Sequence, residues 1–362
     1  MKNKLFTPFS IGKLTIPNRI VRSATAEQMC DEKGFPKPTL KSLYRELALG
    51  GLGMLITGHA YIHPTGKAHA EMMGIYSDEL VAPLRELVDV VHQDGGLIAV
   101  QINHAGMRTH IGVVEQTIAP SAFDTPYLNN TAREMSIEEI EMLIDAFAQA
   151  ARRAKIAGFD AIQLHAAHGF LISEFLSPYA NRRGDDWGGS SENRLRFLRR
   201  VVTAVREQIG EDYPLFIKLA VAEGVEAGIS ETDTVKNISA LAEMGLDGLE
   251  ISGGISGAYE FNSRLDITYP EQEGFFRPYA RLARKYTRLP IFLVGGLRSK
   301  NVMEDVLSSG DADFIALCRP LICETDLPNR LRNDQQVEAH CISANLCWAA
   351  SLNEGISCKC PI

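Results

Sequence analysis

Short apolar segments recur along the chain, and each is followed by a longer segment in which apolar residues repeat at helical spacing. Continuous apolar runs of this length are typical of strands covered on both faces, as in parallel sheets. The pattern therefore predicts eight strand–helix units in series. The predicted strands are Arg19–Ser23, Gly53–Thr57, Leu97–Asn103, Phe159–His165, Leu215–Val221, Gly248–Ser252, Ile291–Gly295 and Asp313–Leu317.

Several segments between these strands carry clear signals for the start and end of a helix. The Ser136–Glu139 segment has the pattern of a capping box, and the helix that it opens should end before Gly158. The Ser230–Asp233 segment opens a second helix in the same way. A third helix begins after Ser191, and a fourth covers about Asp78–Gln93 with leucines and valines on one face.

Eight strand–helix units predict an α/β protein with a (β/α)8 TIM barrel. An open doubly wound sheet is the alternative, but no Gly-x-Gly-x-x-Gly turn follows the first strand. A barrel needs about 250 residues, so long excursions remain, at 104–135, 166–190 and 253–275 after strands 3, 4 and 6. Since no linker is visible, we expect one domain, with the barrel in residues 1–335 and a tail in 336–362.

Composition excludes several classes of protein. The chain has 362 residues, of which 45% are hydrophobic and 23% charged, with a net charge of -8. An acidic chain without basic clusters is a poor ligand for nucleic acid. No apolar run approaches the roughly 20 residues of a membrane span, and the N-terminus lacks the apolar region of a signal peptide. We therefore expect a cytoplasmic protein that acts on a small molecule, and the sequence leaves a homo-oligomer open.

Two histidines lie at the end of strand 4, on the side of the barrel where active sites of this fold are built. His165 and His168 are three residues apart and can point two imidazole groups into one cavity. Such a pair can bind an oxyanion, polarise a carbonyl or nitro oxygen, or ligate a metal in a barrel hydrolase or aldolase. The alternative is a pair of loop histidines whose hydrogen bonds are satisfied locally.

Other strand ends also carry polar groups. Lys218 lies in the apolar strand PLFIKLAV, so it should face the barrel mouth or an anion, because burying an unpaired ammonium is costly. Gln101 belongs to a cluster of amide and imidazole groups at the end of strand 3. Gly295 and Gly296 follow strand 7, and Arg319 follows strand 8. Loops after these two strands commonly bind phosphate, which indicates a phosphorylated ligand.

The stretch HAAHGFLISEFLSPYANRRGDDWGGSSENRLRFL resembles the old yellow enzyme family, the FMN-dependent NAD(P)H:flavin oxidoreductases. Flanking motifs occur in the same order as in that family: PNRIVRSAT, ALGGLGMLITGHAYIHPTGK, QINHAG, VGGLRS and ALCRP. The similarity runs from about Leu5 to Pro328 and implies FMN bound at the barrel mouth. The positions that match the family's flavin site are Ser23, Ala24, Thr25, Ala26, His59, Gln101, Lys218, Ser252, Gly253, Gly295, Gly296, Cys318 and Arg319.

The resemblance also implies roles for single residues. Gln101 matches the residue that hydrogen-bonds the pyrimidine edge of the flavin, and Lys218 matches the cation that stabilises the reduced ring. His165 and His168 match the pair that holds the electron-withdrawing group of the substrate. NAD(P)H would deliver hydride to FMN, which would pass it to an activated alkene such as an enone or nitroalkene.

Four positions depart from the family pattern, and one of them is Ala26, which stands where some subfamilies have a redox-tuning cysteine against the flavin. His59 stands where the family usually has a small residue, and Cys318 where it usually has Gly or Ala. The family's proton donor is a tyrosine two residues after the second histidine, and this chain has Phe170 there. Water or another tyrosine would then supply the proton, the candidates being Tyr61, Tyr179 and Tyr259. A flavin-binding barrel with weak or lost alkene reduction, or an FMN-dependent amine-type dehydrogenase, remains an alternative.

Four cysteines crowd the tail, at Cys341, Cys347, Cys358 and Cys360. The spacing of Cys341, Ala344, Cys347 and Cys358 resembles the iron–sulfur motif of the 2,4-dienoyl-CoA reductase and trimethylamine dehydrogenase group, whereas Cys360 falls outside that spacing. Ala344 replaces one ligand of that motif, and a 4Fe–4S cluster normally needs four thiolates. We therefore expect free thiols and no metal; the alternatives are a 4Fe–4S cluster in which Cys360 supplies the fourth thiolate, and a zinc site from the same four cysteines.

Overall fold

The computed structural model describes residues 4–125, 128–255, 257–258, 261, 263–349 and 355–360. In this part of the chain, eight parallel strands close into a barrel, since the first strand pairs with both the second and the eighth. The predicted (β/α)8 TIM barrel is thus confirmed. The strands are β1 (Ile20–Arg22), β2 (Met54–Tyr61), β3 (Ile98–Asn103), β4 (Ala161–Ala166), β5 (Leu215–Ala220), β6 (Gly248–Ser252), β7 (Ile291–Leu293) and β8 (Phe314–Leu317).

Helices surround the barrel and follow the predicted order. The predicted capping boxes are present at Ser136 and Ser230, where each serine side chain accepts a hydrogen bond from the backbone N–H of the third residue of its helix. None of the described helices is long and apolar enough to cross a bilayer. The helices are α1 (Pro38–Leu49), α2 (Val81–Gln93), α3 (Ile137–Ala157), α4 (Leu171–Leu176), α5 (Ser191–Ile209), α6 (Glu231–Leu241), α7 (Arg277–Tyr286), α8 (Lys300–Ser309), α9 (Arg319–Cys323), α10 (Leu327–Arg332) and α11 (Leu346–Ala349).

Two apolar layers hold the barrel together. The larger one lies between strands and helices, and the smaller one fills the barrel at its amino-terminal end. There the rings of Phe292 and Phe314 stack with centroids 4.5 Å apart. A hairpin of the strands Phe9–Ile11 and Leu14–Ile16 packs against this inner layer. This end is therefore closed by side chains, and the opposite end is where a ligand can enter.

The predicted excursions lie beyond the carboxyl ends of the strands. A small sheet of Ile118–Ala119, Phe123–Thr125 and Asn130–Glu134 follows β3. The short helix α4 follows β4, and the segment after β6 is described only in part. The two-residue strand Met73–Gly74 extends the sheet beside β2.

Candidate active site

A cavity opens at the carboxyl ends of the barrel strands and gathers most of the residues singled out from the sequence. Gly253 is not among its lining residues, and a Cβ built there would lie 2.7 Å from the carbonyl oxygen of Ala222 and from the ring of Phe261, so the backbone at this glycine is closely packed. The other predicted site residues all line the cavity: Ser23, Ala24, Thr25, Ala26, His59, Gln101, His165, His168, Lys218, Ser252, Gly295, Gly296, Cys318 and Arg319.

The register of the strands explains why polar groups meet in one layer of the barrel. Gln101 on β3 pairs with His59 on one side and with Gln163 on the other. Lys218 on β5 pairs in the same way with His165 and Glu250. Paired residues of neighbouring strands point to the same face of a sheet. The cavity floor is therefore a polar layer above the apolar filling of the barrel.

Five side chains of this layer form a continuous hydrogen-bonded set, which we call the Glu250 network. Lys218 Nζ lies 3.0 Å from Glu250 Oε1 and donates to Ser23 Oγ at 2.8 Å. Ser23 Oγ donates to Glu250 Oε1 at 2.6 Å, and Gln163 Nε2 to Glu250 Oε2 at 2.8 Å. Gln101 Nε2 donates to Gln163 Oε1 at 2.7 Å. The Lys218 side chain is 4% exposed and that of Glu250 is 0% exposed, so each buried charge has its counter-ion.

Glu250 and Gln163 were not identified from the sequence. Glu250 nevertheless gave a signal of the same kind as Lys218, because it is a charged residue within the apolar strand GLEIS. A buried carboxylate in such a strand requires a cationic or hydrogen-bonding partner. Only the register between β5 and β6 shows that this partner is Lys218.

His165 lies in β4 and is buried, His168 follows the strand and is half-buried, and the two rings contact one another. Their rings are perpendicular, with centroids 5.2 Å apart. His168 has a φ of 62°, and its Nε2 lies 2.7 Å from Ser252 Oγ. Burial lowers the pKa of both imidazoles well below the ordinary value, and the positive charge of Lys218 lowers each further. Both side chains are therefore neutral at pH 7 and can each donate one hydrogen bond.

A second set of side chains in the cavity has polar atoms without partners, and we call it the histidine face: His59, His69 and His165. The His59 ring lies 6.2 Å from the ring of His165 and 5.8 Å from that of His69. Among the described residues, the buried atoms without a hydrogen-bond partner include His59 Nε2, His165 Nδ1 and both ring nitrogens of His69. Such atoms are costly unless a ligand satisfies them, which marks this side of the cavity as a binding surface.

Several residues of the cavity wall were missed by the sequence analysis. His69, Arg108 and His110 come from loops after β2 and β3, and the sequence offers no periodic signal for them. Gln28 lines the cavity with a φ of 56°, and its buried Oε1 has no partner. Of the described residues that line the cavity, none is acidic, although the chain as a whole carries a net charge of -8.

The loops after β7 and β8 form a separate corner. Gly295 and Gly296 have φ angles of 124° and 71°, which favour glycine. Arg319 Nη1 donates to the carbonyl oxygen of Arg264 at 2.8 Å and to Asn345 Oδ1 at 2.7 Å. The guanidinium is thus held in place by the tail, while Arg319 still lines the cavity.

The tail packs against the cavity. Cys341, Ser343 and Ile356 line it, and the Ile356 N–H donates to the carbonyl oxygen of Glu27 at 2.8 Å. The other three tail cysteines, Cys347, Cys358 and Cys360, are free thiols outside the lining. Across the described residues, no group of three or more His, Cys, Asp or Glu side chains is arranged to hold a metal ion.

Two of the three tyrosines considered as proton donors, Tyr61 and Tyr179, do not line the described cavity. The Tyr61 hydroxyl donates to the carbonyl oxygen of Lys33 at 3.1 Å, and its ring stacks on Tyr76. Tyr179 packs against Phe123. Tyr259 lies outside the described residues. Tyr61 and Tyr179 are therefore wrong as candidates for direct proton transfer in this arrangement.

Comparison with known proteins shows the family to which this chain belongs. The model of the NADH:flavin oxidoreductase / NADH oxidase family matches residues 4–338. An NADH oxidase of Thermoanaerobacter brockii is 35% identical, and the match covers 99% of this chain and 55% of that protein. An NADPH dehydrogenase of Geobacillus thermodenitrificans is 38% identical, over 89% of this chain and 92% of the relative.

A solved structure of the same fold is also similar to this chain. An old yellow enzyme homologue from Zymomonas mobilis superposes with a TM-score of 0.81 at 27% identity, and covers 94% of this chain and 95% of its own. The chain thus matches some relatives over nearly their whole length, and others, such as the NADH oxidase, over about half. The protein belongs to the NADH:flavin oxidoreductase / NADH oxidase family and is an FMN-dependent oxidoreductase of the old yellow enzyme type.

Proposed function

We propose that the cavity binds FMN and that the protein reduces activated alkenes, such as enones and nitroalkenes, with NAD(P)H. The observation that carries this proposal is the position of His165. His165 lines the cavity together with Lys218, which is paired with the buried Glu250, and the buried Nδ1 of His165 has no hydrogen-bond partner among the described residues. An unsatisfied imidazole beside a fully paired cation suits a site that holds one tightly bound group and one exchangeable ligand.

The polar layer fits the isoalloxazine ring of FMN. The Nε2 of Gln101 donates to Gln163, so its oxygen can accept a hydrogen bond from the pyrimidine edge. Lys218 supplies the positive charge that favours an electron-rich ring. When bound, FMN accepts hydride from NAD(P)H and returns it to a second substrate.

The corner after β7 and β8 fits the phosphate of FMN. Gly295 and Gly296 allow the backbone to approach closely, and Arg319 adds a fixed positive charge. Ser23–Ala26, Ser252 and Cys318 would line the path between this corner and the ring. Because Asn345 of the tail bonds to Arg319, we propose that residues 336–362 belong to the same domain as the barrel of residues 1–335.

His165 and His168 would bind the activating oxygen of the substrate. Both are neutral, so they donate hydrogen bonds without adding a formal charge to the empty cavity. A hydrogen bond to oxygen stabilises the negative charge that develops there when hydride reaches the β-carbon. The Ser252 hydroxyl fixes the His168 ring at its Nε2, which leaves the other ring nitrogen for the substrate.

An anaerobic stopped-flow experiment tests the proposal. NADPH or NADH should bleach the flavin of the purified protein, and 2-cyclohexenone or a nitroalkene should restore its colour. If neither nicotinamide bleaches the flavin, the reductase function is wrong. If oxygen restores the colour and alkenes do not, the alkene specificity is wrong.

Binding of a phenol tests the role of the histidine pair. His165→Ala should weaken phenol binding at the flavin about tenfold, because a hydrogen bond to a ligand oxygen contributes about 1.4 kcal/mol. His92→Ala is the matched control, since His92 pairs with Asp160 at 2.9 Å and does not line the cavity. Unchanged phenol binding in His165→Ala would contradict the assigned role.

A further inference from the structure

Alkene reduction needs a proton as well as a hydride. After hydride reaches the β-carbon, the α-carbon must accept a proton from a positioned acid or from water. Phe170 has no transferable proton, and its buried ring occupies the wall of the cavity. The rings nearest to it in the described cavity wall are those of His165, at 4.5 Å, and His59, at 5.1 Å. Since His165 is proposed to bind the substrate oxygen, His59 is the other imidazole beside Phe170 that can carry a proton, and the Arg108 guanidinium, 5.0 Å from the same ring, is the charged neighbour.

His59 is placed by an irregularity in the barrel. The register between β2 and β3 shifts between Ile56 and His59, so the strand continues to Tyr61 with His59 directly beside Gln101. Its ring lines the cavity, and its Nε2 is buried without a partner. An imidazole in this position can reach a ligand atom and has no competing internal hydrogen bond at that nitrogen.

A route for protons leads from His59 toward solvent. The His69 ring lies 5.8 Å from the His59 ring, and both of its nitrogens are buried without partners. His110 follows at the exposed edge of the cavity, where its backbone N–H donates to the carbonyl oxygen of Ala68 at 2.9 Å. Imidazoles accept a proton on one nitrogen and release it from the other, so such a row can exchange protons with water.

We infer that His59 donates the proton to the α-carbon and that His69 restores it from solvent. The inference rests on the proposed alkene reduction. Hydride from the reduced cofactor forms the bond to the β-carbon, and the π electrons move to the oxygen held by His165 and His168. That electron pair then forms the new C–H bond at the α-carbon as the N–H bond of the His59 imidazolium breaks, which leaves a neutral imidazole.

The charges around His59 give this step a pH dependence. His69 faces it from the loop after β2, Arg108 from the loop after β3, His165 and His168 from the end of β4, and Lys218 from β5. Burial lowers the pKa of His59 well below its ordinary value, and His69, Arg108 and Lys218 lower it further. The imidazolium is therefore a strong acid that is scarce at pH 7, so α-protonation should accelerate as the pH falls.

Two acceptors separate proton transfer from hydride transfer. Reduction of 2-cyclohexenone requires a proton at carbon, whereas hydride addition to 1-nitrocyclohexene leaves a nitronate anion that is stable without one. The FMN-loaded protein is reduced chemically and mixed anaerobically with each acceptor. In His59→Ala, and in His59→Gln with its similar volume, reoxidation by cyclohexenone should slow about 100-fold, the usual contribution of general acid catalysis. Reoxidation by nitrocyclohexene should slow far less. In the same variants, the rate with cyclohexenone should no longer increase as the pH falls.

A rescue variant completes the test. Phe170→Tyr, made in the His59→Ala background, places a hydroxyl next to the lost imidazole and should recover most of the cyclohexenone rate. His92→Ala is the control for a histidine removed elsewhere. Equal loss with both acceptors, or no loss with cyclohexenone, would overturn the role of His59. If the reduced wild-type protein reacts with neither acceptor, it is the proposed function that fails.

Discussion

The Glu250 network reaches the cavity wall through Ser23, Gln101 and Lys218, and the histidine face reaches it through all three of its histidines, but the two sets differ in how their polar atoms are satisfied. In the Glu250 network, five side chains share hydrogen bonds of 2.6–2.8 Å, and the one cation is paired with the one carboxylate. In the histidine face, four buried ring nitrogens have no partner among the described residues. The two regions are only one strand apart, because His59 and His165 are register neighbours of Gln101 and Lys218.

This difference is the one expected between the binding site of a cofactor that stays bound and that of a substrate that exchanges with solvent. A fully satisfied buried network is rigid and specifies one arrangement, which suits a cofactor that stays bound. Each unsatisfied buried polar atom costs about 1–3 kcal/mol, and such a cost is tolerated where a ligand repays it. The histidine face therefore lowers the stability of the ligand-free protein, and its unpaired nitrogens remain available for hydrogen bonds to a substrate.

Removing the cation of the Glu250 network should have the largest effect. Lys218→Met leaves the fully buried Glu250 carboxylate without its counter-ion, which should lower the free energy of unfolding by about 3–5 kcal/mol and weaken FMN binding. Urea denaturation followed by circular dichroism and by flavin fluorescence measures both effects.

The matched control removes both charges of the pair. Lys218→Met combined with Glu250→Gln replaces the carboxylate by an amide that still bonds to Gln163 and Ser23. This double variant should recover much of the lost stability but not the FMN affinity, because the positive charge is still missing. A single variant as stable as the wild type would show that the pair is not needed to hold the polar layer.

The contrast between the two regions also explains what the sequence could predict. Periodicity is a local property, so eight strands and the capping boxes were visible from the residues alone. The ends of the strands were harder to predict. Strand β7 ends at Leu293 rather than at Gly295, because the backbone at Gly295, with a φ of 124°, is no longer extended. The register shift in β2 carries that strand from the predicted end at Thr57 to Tyr61, and no pattern in the sequence signals it.

For the site residues too, local features were visible in the sequence and long-range contacts were not. Lys218 and His165 stood out because each is polar at the end of an apolar strand. Glu250 and Gln163 carry comparable signals, but their pairing depends on which strands are neighbours in the closed barrel. His69, Arg108 and His110 come from irregular loops, whose approach to the cavity follows from tertiary packing alone.

The histidine face should make the stability of the protein depend on pH. Burial, with His110 and Lys67 nearby, lowers the pKa of His69 to about 4, compared with about 6.5 in the unfolded chain. Between these values the unfolded chain binds a proton that the folded protein does not, so the free energy of unfolding falls as the pH falls from 6.5 toward 4. His69→Gln should reduce that slope by about 1.4 kcal/mol per pH unit.

Denaturation of the FMN-free protein at several pH values measures this slope. His92→Ala is the control for the histidine face, because His92 is on the surface of α2 and pairs with Asp160. An unchanged slope in His69→Gln would mean that His69 already binds a proton in the folded protein, and the histidine face would then carry charge near neutral pH.

The smallest predicted effect concerns the link between the tail and the phosphate corner. Asn345 Oδ1 accepts from Arg319 at 2.7 Å, and Asn345 Nδ2 donates to the carbonyl oxygen of Ser263 at 2.8 Å. Asn345→Ala removes both bonds and frees the guanidinium to move, so FMN should bind about fivefold more weakly, equivalent to one hydrogen bond of about 1 kcal/mol. Riboflavin has no phosphate and should bind to Asn345→Ala as it does to the wild type. If riboflavin binding weakens to the same degree as FMN binding, the tail supports the ring rather than the phosphate, and the corner after β7 and β8 acts independently of it.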